Sequence, residues 1–139
     1  MGYLFLALVL AAAAPQAARA QSRNAWESGR NQSAEEHKKN AAELEEAVKT
    51  DPNNIELYIR LGFVYSKLEK VGDAQRAFEN AVRLDPKRAI AHYMLGLIYE
   101  KKGLRDNAIA AWKACLENAS EPRLRETALK HLHHLRAEK

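Results

Sequence analysis

The sequence predicts an all-α protein, a short right-handed α-solenoid of about two and a half helix-turn-helix repeats with N- and C-terminal capping helices. Residue types recur at an offset of 34 positions, as when Asp51-Pro52 is matched by Asp85-Pro86. Within each half of this period, apolar residues are spaced three and four apart, which is the spacing of one face of an α-helix. Each Asp-Pro pair separates helical stretches, because a residue before proline disfavours the α conformation. A fixed period of this length is typical of stacked helical hairpins.

The first twenty residues differ in composition from the rest of the chain. Residues 3–14 are apolar and uncharged, a run shorter than the ~20 residues that cross a bilayer. Pro15 and the small residues of Ala18-Arg19-Ala20 follow, as at the cleavage point of a secretory signal. We therefore expect residues 1–20 to be a signal peptide cleaved near Ala20, with a retained anchor or a wrongly assigned start codon as the alternatives. The mature chain would have no transmembrane span and would be periplasmic or secreted.

Length, charge and cysteine content limit the classes of protein to which the chain can belong. The full sequence has 139 residues, a formal net charge of +4 and one cysteine. This length allows one domain of ordinary size, and a single cysteine excludes a disulfide scaffold. Acidic and basic residues are interspersed, which indicates a solvated surface, so we expect no nucleic-acid partner. Cys115 lies on a predicted packed helix face and is interpreted as a small core residue.

An N-terminal tail and a capping helix are expected before the first full repeat. Residues 21–32 hold Trp26 but few other apolar residues, so we expect a flexible tail there. From Ser33 onward, apolar and small residues recur at three- and four-residue steps, which predicts an amphipathic helix of roughly 33–50. Because this helix matches only the second half of the period, we interpret residues 33–52 as a half repeat and N-terminal cap.

Two full repeats and a second cap follow. Residues 53–86 and 87–120 each contain two helical stretches, and the aromatic at 78 is expected to fill the space beside Gly62. Proline is favoured in the first turn of a helix, so Pro122 predicts the start of another one. Residues 121–139 are therefore predicted to form the C-terminal capping helix, with an apolar stripe of Leu124, Ala128, Leu132 and Leu135.

The two repeats resemble the signature of the tetratricopeptide repeat family. In the first repeat the signature positions are Tyr58, Leu61, Gly62, Tyr65, Ala74, Phe78, Ala81 and Pro86. In the second repeat they are His92, Leu95, Gly96, Tyr99, Ala108, Trp112 and Cys115, with Ser120 in place of the closing proline. The resemblance covers about residues 40–120 and implies the solenoid fold. One departure is Glu69, which stands where the family often has glycine and where the second repeat has Gly103.

The resemblance also implies a binding site. In tetratricopeptide proteins the first helix of each pair lines a concave groove that holds a peptide or helix of a partner. Carried over by position, the partner-binding residues would be Ile59, Phe63, Lys67, Ile90, Tyr93, Leu97 and Lys101, with Glu100 also facing the groove. An apolar floor with charged rims is typical of an interaction site. Coverage of this groove by the N-terminal tail or by a second copy of the chain is the alternative.

The sequence contains no specific catalytic constellation. It lacks a glycine-rich phosphate loop, a metalloprotease helix motif and a nucleophile elbow. His131 and His134 share a helix face, but no further ligand at matching spacing completes a zinc site, so a solvated polar face is favoured. His92 is interpreted as a packing residue. We therefore expect no catalytic residue, no metal and no cofactor.

These observations predict a non-enzymatic interaction module, an adaptor or assembly factor of the bacterial periplasm or envelope. Its partner would be another protein, held as a peptide or helix in the apolar groove. The second hypothesis is a structural, homo-oligomerising subunit whose groove is filled by its own kind. Because one fold serves many partners, the sequence does not identify the partner.

Overall fold

The computed structural model describes the backbone of residues 16–137 and the side chains of residues 33–137. Residues 1–15 of the predicted signal peptide 1–20, and the last two residues of the chain, lie outside the described part. The described residues form six helices and no strand, in the order α1 (Gln16–Thr50), α2 (Ile55–Lys67), α3 (Val71–Leu84), α4 (Ala89–Lys101), α5 (Arg105–Asn118) and α6 (Pro122–Ala137). The predicted all-α fold is confirmed.

The N-terminal helix is longer than the sequence analysis expected. The helix predicted from Ser33 begins at Gln16, so residues 21–32, expected to form a flexible tail, have helical backbone. Residues 16–32 contain no proline and are rich in alanine, arginine and glutamine, which have high helix propensity. The side chain of Trp26 in this segment lies outside the described set. The chain divides into two units after Ala34, and the repeats lie in the second.

The breaks between the repeat helices follow from proline and turn chemistry. α3 ends at Leu84, directly before Asp85-Pro86, and α6 begins at Pro122, as predicted. The turns inside the two hairpins each contain one residue in the left-handed conformation, Glu69 with φ 58° and Gly103 with φ 71°. Only glycine adopts this conformation without a steric cost. The sequence departure at position 69 therefore places a strained residue in the first hairpin.

Each hairpin is closed by a glycine that faces an aromatic ring. A Cβ atom added to Gly62 would lie 2.7 Å from Cζ of Phe78, so the ring occupies the space beside the glycine, as predicted. In the second hairpin, Gly96 meets Trp112 in the same way. Phe78 and Trp112 are completely buried. The close approach of α2 to α3 and of α4 to α5 thus depends on the missing side chain.

Side-chain hydrogen bonds repeat at the same 34-residue offset. Tyr99 Oη donates to Glu79 Oε1 at 2.9 Å between α3 and α4, and Tyr65 donates to Glu45 between α1 and α2. We call these two contacts the Tyr–Glu junctions. Burial raises the pKa of Tyr99 to about 12, with a further contribution from Glu79. Burial also raises the pKa of Tyr65, again with a contribution from its glutamate. Each of these bonds joins the last helix of one repeat or half repeat to the first helix of the next repeat.

The core consists of three apolar clusters along the repeats. One joins α1 to α2 and α3 through Ala41, Leu44, Leu61, Val64 and Ala77. The central cluster surrounds Phe78 and joins α2, α3, α4 and α5. The third surrounds Trp112 and joins α5 to α6. Within the described residues, no helix is both long enough and apolar enough to cross a membrane.

Candidate functional site

The seven residues predicted to bind a partner lie on α2 and α4. These two helices are the first helices of their hairpins, as the resemblance implied. We call the surface that they form the α2–α4 face. It comprises Ile59, Phe63 and Lys67 on α2 and Ile90, Tyr93, Leu97 and Lys101 on α4. Five of its members are apolar or aromatic, and both lysines lie in the last turn of their helix.

On α2, the face is built on the ring of Phe78. Phe63 is half-buried and contacts Phe78 edge-on, with ring centroids 5.4 Å apart. Ile59 is buried in the same cluster, so it supports the surface from below and offers little area to a partner. Ile90 of α4 is half-buried against this cluster as well. The exposed apolar area at this end therefore comes from Phe63 and Ile90.

On α4, the face is built on the indole of Trp112. Tyr93 is half-buried and contacts Trp112 edge-on, with ring centroids 5.3 Å apart. Leu97 is half-buried against the same cluster. Edge-to-face packing against a fully buried ring fixes the orientation of Phe63 and Tyr93. Both aromatic rings are thus held in place before any partner arrives, which lowers the entropic cost of binding.

Charged residues mark the two ends of the α2–α4 face. Lys67 and Lys101 are exposed where α2 and α4 end. At the other end, Arg88 forms an ion pair with Glu56 and so links the start of α4 to α2. The face is therefore apolar along its length, and its two lysines lie in the last turns of α2 and α4, where the helix dipoles are negative.

Glu100, which was expected to face the groove, is bound to other residues of this chain. Its carboxylate accepts a hydrogen bond from Trp112 Nε1 at 2.6 Å and lies 2.8 Å from His131 Nδ1. The imidazole of His131 also stacks on the indole of Trp112, with centroids 4.2 Å apart. Glu100, Trp112 and His131 form a polar cluster that fastens α6 to the second hairpin. The sequence offered no signal for it, because its members come from three different helices.

The histidines considered as metal ligands or catalytic groups have structural contacts. The expectation of a solvated face is wrong for His131, which is half-buried in the cluster just described. Among the described residues, no group of three or more histidine, cysteine or acidic side chains could hold a metal ion. His92 is buried, and its Nε2 lies 2.7 Å from the carbonyl oxygen of Pro86, as expected for a packing residue. Burial raises the pKa of the Cys115 thiol, which disfavours its reactive thiolate.

Comparison with known proteins shows a sequence match over one segment of the chain and a similarity in fold over most of it. Residues 59–121 match the family model described as tetratricopeptide repeat. The crystal structure of PcrH in complex with the chaperone binding region of PopD is similar with a TM-score of 0.68 and 15% sequence identity, over 86% of this chain and 93% of that one. MamA MSR-1 C2 is similar with a TM-score of 0.51 and 20% identity, over 73% of this chain and 66% of that one. No curated protein matches the sequence. Residues 59–121 thus have the sequence pattern of the tetratricopeptide repeat, and the helical hairpins have the fold of tetratricopeptide-type solenoids.

Proposed function

We propose that this chain is a non-enzymatic protein–protein interaction module that holds a segment of a partner protein on the α2–α4 face. One observation carries the proposal: Phe63 and Tyr93 are two half-exposed aromatic rings fixed edge-on against buried rings. Binding energy at interfaces is concentrated in a few such rigid aromatic anchors. Ile90 and Leu97 extend the apolar floor between and beyond them.

The similarity in fold supports this proposal. PcrH was solved with a bound region of PopD, so a solenoid of this fold can hold a segment of another protein. The two lysines further define the expected segment. Because Lys67 and Lys101 are exposed and each lies in the last turn of its helix, we propose a segment with apolar anchors followed by an acidic residue at that end of the face.

Site-specific photocrosslinking tests the α2–α4 face directly. A photoreactive amino acid replaces Lys67 or Lys101, both of which are exposed and make no contact on which the hairpins depend. The matched control position is Ala110, which is exposed on α5, a helix that contributes no residue to the face. We expect positions 67 and 101 to give adducts with the same partner segment in the native host, and position 110 to give none of them.

Substitution of the proposed anchors then shows whether an adduct reflects specific binding to the α2–α4 face or only a chance encounter. Phe63→Ala and Tyr93→Ala remove the proposed anchors and keep the buried rings of Phe78 and Trp112. We expect each variant to retain its helical circular dichroism and to lose at least tenfold in adduct yield. Unchanged yield in a folded variant would contradict the proposal. Adducts formed only with the chain itself, together with a dimeric mass by sedimentation, would instead favour the homo-oligomeric subunit.

We also propose that the chain is exported and cleaved near Ala20. The apolar run of residues 3–14 and the small residues around Arg19 support this location. Mass spectrometry of the protein purified from host fractions tests it: the expected product begins at Gln21 and is found outside the cytoplasm. An intact N-terminus in the cytoplasmic fraction would contradict export and leave the binding proposal unaffected.

A further inference from the structure

α6 packs on α5 as the first helix of a third unit. Ala128 and Leu132 of α6 lie in the cluster around Trp112. The residues 34 positions earlier, Met94 and Ile98 of α4, lie in the cluster around Phe78. The register of the repeat therefore continues through α6, although the tetratricopeptide match ends at residue 121.

One leucine of α6 is exposed where its counterparts in the two repeats are buried. Leu61 and Leu95 are 7% and 4% exposed, whereas Leu129, in the same register on α6, is 54% exposed. Leu61 shares a cluster with Ala77 of α3, and Leu95 shares one with Ala111 of α5. Each buried leucine thus shares its apolar cluster with a residue from the second helix of its own hairpin. Within the described residues, no second helix follows α6.

The uncovered surface is a groove between α5 and α6. Its apolar floor consists of Leu116, Leu129 and Leu132, and its rim includes Lys113, Lys130 and Arg136. We call it the α5–α6 groove. It lies on helices that contribute no residue to the α2–α4 face, so it is a separate surface. By the register of the repeat, its shape suits one α-helix.

The rim of the α5–α6 groove is more basic than the matching positions of the two Tyr–Glu junctions. In register with the Tyr–Glu junctions, Lys113 replaces the glutamate and His133 replaces the tyrosine. Glu117 is the acidic residue among those that line the groove, against Lys113, Lys130 and Arg136. Lys130 forms an ion pair with Glu126 at 2.9 Å, which holds its ammonium group at the rim. A partner with acidic flanks would complement this rim.

Lys130 also restricts which helix fits the α5–α6 groove. It stands in register with Gly62 and Gly96, the two glycines whose missing side chains admit Phe78 and Trp112. Since even a Cβ atom at Gly62 or Gly96 would come within 3.0 Å of the facing ring, any side chain at position 130 excludes an aromatic ring packed in that way. The helix that fits therefore has small or aliphatic residues on its apolar face, in contrast to α3 and α5.

We propose that the α5–α6 groove binds an acidic amphipathic helix of a partner protein, which completes the third hairpin in trans. Three segments of this chain suit the groove less well, and the apolar face of α1 is already buried, with Ala41 and Leu44 in the cluster with α2 and α3. α3 and α5 carry large aromatic residues at the position that Lys130 obstructs. Residues 16–32 carry three arginines and one glutamate, the same sign of charge as the rim. The occupant is thus defined by an Ala- and Leu-rich face with glutamates on both sides.

Two synthetic peptides test the groove in the full-length protein. Both follow the 14-residue pattern of α5, with alanine at the positions of Trp112 and Cys115. The outward positions are all glutamate in one peptide and all lysine in the other. By fluorescence anisotropy at low salt, we expect the acidic peptide to bind at least tenfold more tightly than the basic one. Higher salt should reduce that difference, because exposed charges are screened.

Matched variants locate the binding site. Leu129→Glu should lower the affinity for the acidic peptide at least tenfold. Leu104→Glu, at an exposed leucine outside the groove, should leave that affinity unchanged. The double substitution Lys113→Glu with Arg136→Glu should invert the preference between the peptides. Circular dichroism checks the fold of each variant.

Three results would overturn the proposal. They are equal affinity for both peptides, no binding of either, and an unchanged affinity in folded Leu129→Glu. A wild-type dimer that Leu129→Glu dissociates would also overturn it, because a second copy would then occupy the groove. None of these outcomes depends on the crosslinks from the α2–α4 face.

Discussion

Gly96 lies directly against the indole of Trp112, and a Cβ atom at position 96 would approach Cε2 of that ring to 2.6 Å. Two further rings pack against this indole, since Tyr93 meets it nearly at a right angle and His131 stacks on it. Gly62 and Phe78 form the same contact one repeat earlier. The spacing between the helices of each hairpin is therefore set by a glycine and an aromatic residue together.

The substitution Gly96→Ala should destabilise the protein, because a single methyl group cannot be placed without moving Trp112. Overpacking of this kind costs about 1–3 kcal/mol of unfolding free energy. The control is Gly72→Ala in α3, where a Cβ atom would meet nothing within 4 Å. That change should be neutral or stabilise by up to about 1 kcal/mol, since alanine is the better helix former. Urea unfolding measures both, and equal stability of the two variants would contradict the packing described.

Glu69→Gly should stabilise the first hairpin. Glu69 has φ 58°, and the matching residue of the second hairpin is Gly103 with φ 71°. Relief of the left-handed strain, less the extra freedom of glycine in the unfolded chain, predicts a gain of about 0.5–1 kcal/mol. The reverse test is Gly103→Ala, which should destabilise by about 1 kcal/mol. Thermal unfolding of both variants checks the sign, and a loss of stability in Glu69→Gly would show that the carboxylate compensates for the strain.

Most of the fold could be predicted from the sequence, because the repeat is a local pattern copied at a fixed offset. The 34-residue register pairs Gly62 with Phe78 before any coordinates are known, and Asp85-Pro86 marks the end of α3. The start of α1 could not be predicted in this way. Ser33 is favourable at a helix N-terminus, yet the residues before it have enough helix propensity for α1 to begin at Gln16.

The candidate site could be predicted only in part. The register places Phe63 and Tyr93 on the first helices of their hairpins, but it does not reveal that Ile59 is buried. It also does not reveal that the carboxylate of Glu100 is bound within this chain by donors from Trp112 and His131. These donors are 12 and 31 residues away, separations that no helical period relates. Contacts of this kind depend on how α6 packs on the second hairpin.

The cluster of Glu100, Trp112 and His131 should control how firmly α6 is attached. His131→Ala removes a hydrogen bond to a carboxylate and a stacked ring, which together should cost about 1–3 kcal/mol. His133→Ala is the matched control, because His133 is exposed on the same helix, and its effect should stay within about 0.5 kcal/mol. Hydrogen exchange should show faster opening of α6 in His131→Ala, with little change in α2 and α3.

A double-mutant cycle isolates the contact between Glu100 and His131. Glu100→Gln keeps the shape of the side chain and removes its charge. If the two groups interact as the 2.8 Å separation indicates, the cycle should give a coupling of about 1 kcal/mol. Strictly additive effects of Glu100→Gln and His131→Ala would show that this contact does not contribute to the attachment of α6.

The Tyr–Glu junctions should make the solenoid sensitive to alkali. Burial, assisted by Glu79, raises the pKa of Tyr99 to about 12 from an ordinary value of 10.0. Because the folded state favours the protonated phenol, this contribution to stability is complete below pH 10 and is lost as the pH rises towards 12. Tyr99→Phe should be less stable than the wild type at neutral pH, since a hydrogen bond is missing, but the difference should shrink across that interval. Lysines that titrate in the same range affect both proteins alike and cancel in the difference. Denaturant unfolding of the pair at several alkaline pH values measures this, and a constant difference would show that Tyr99 ionises equally well in both states.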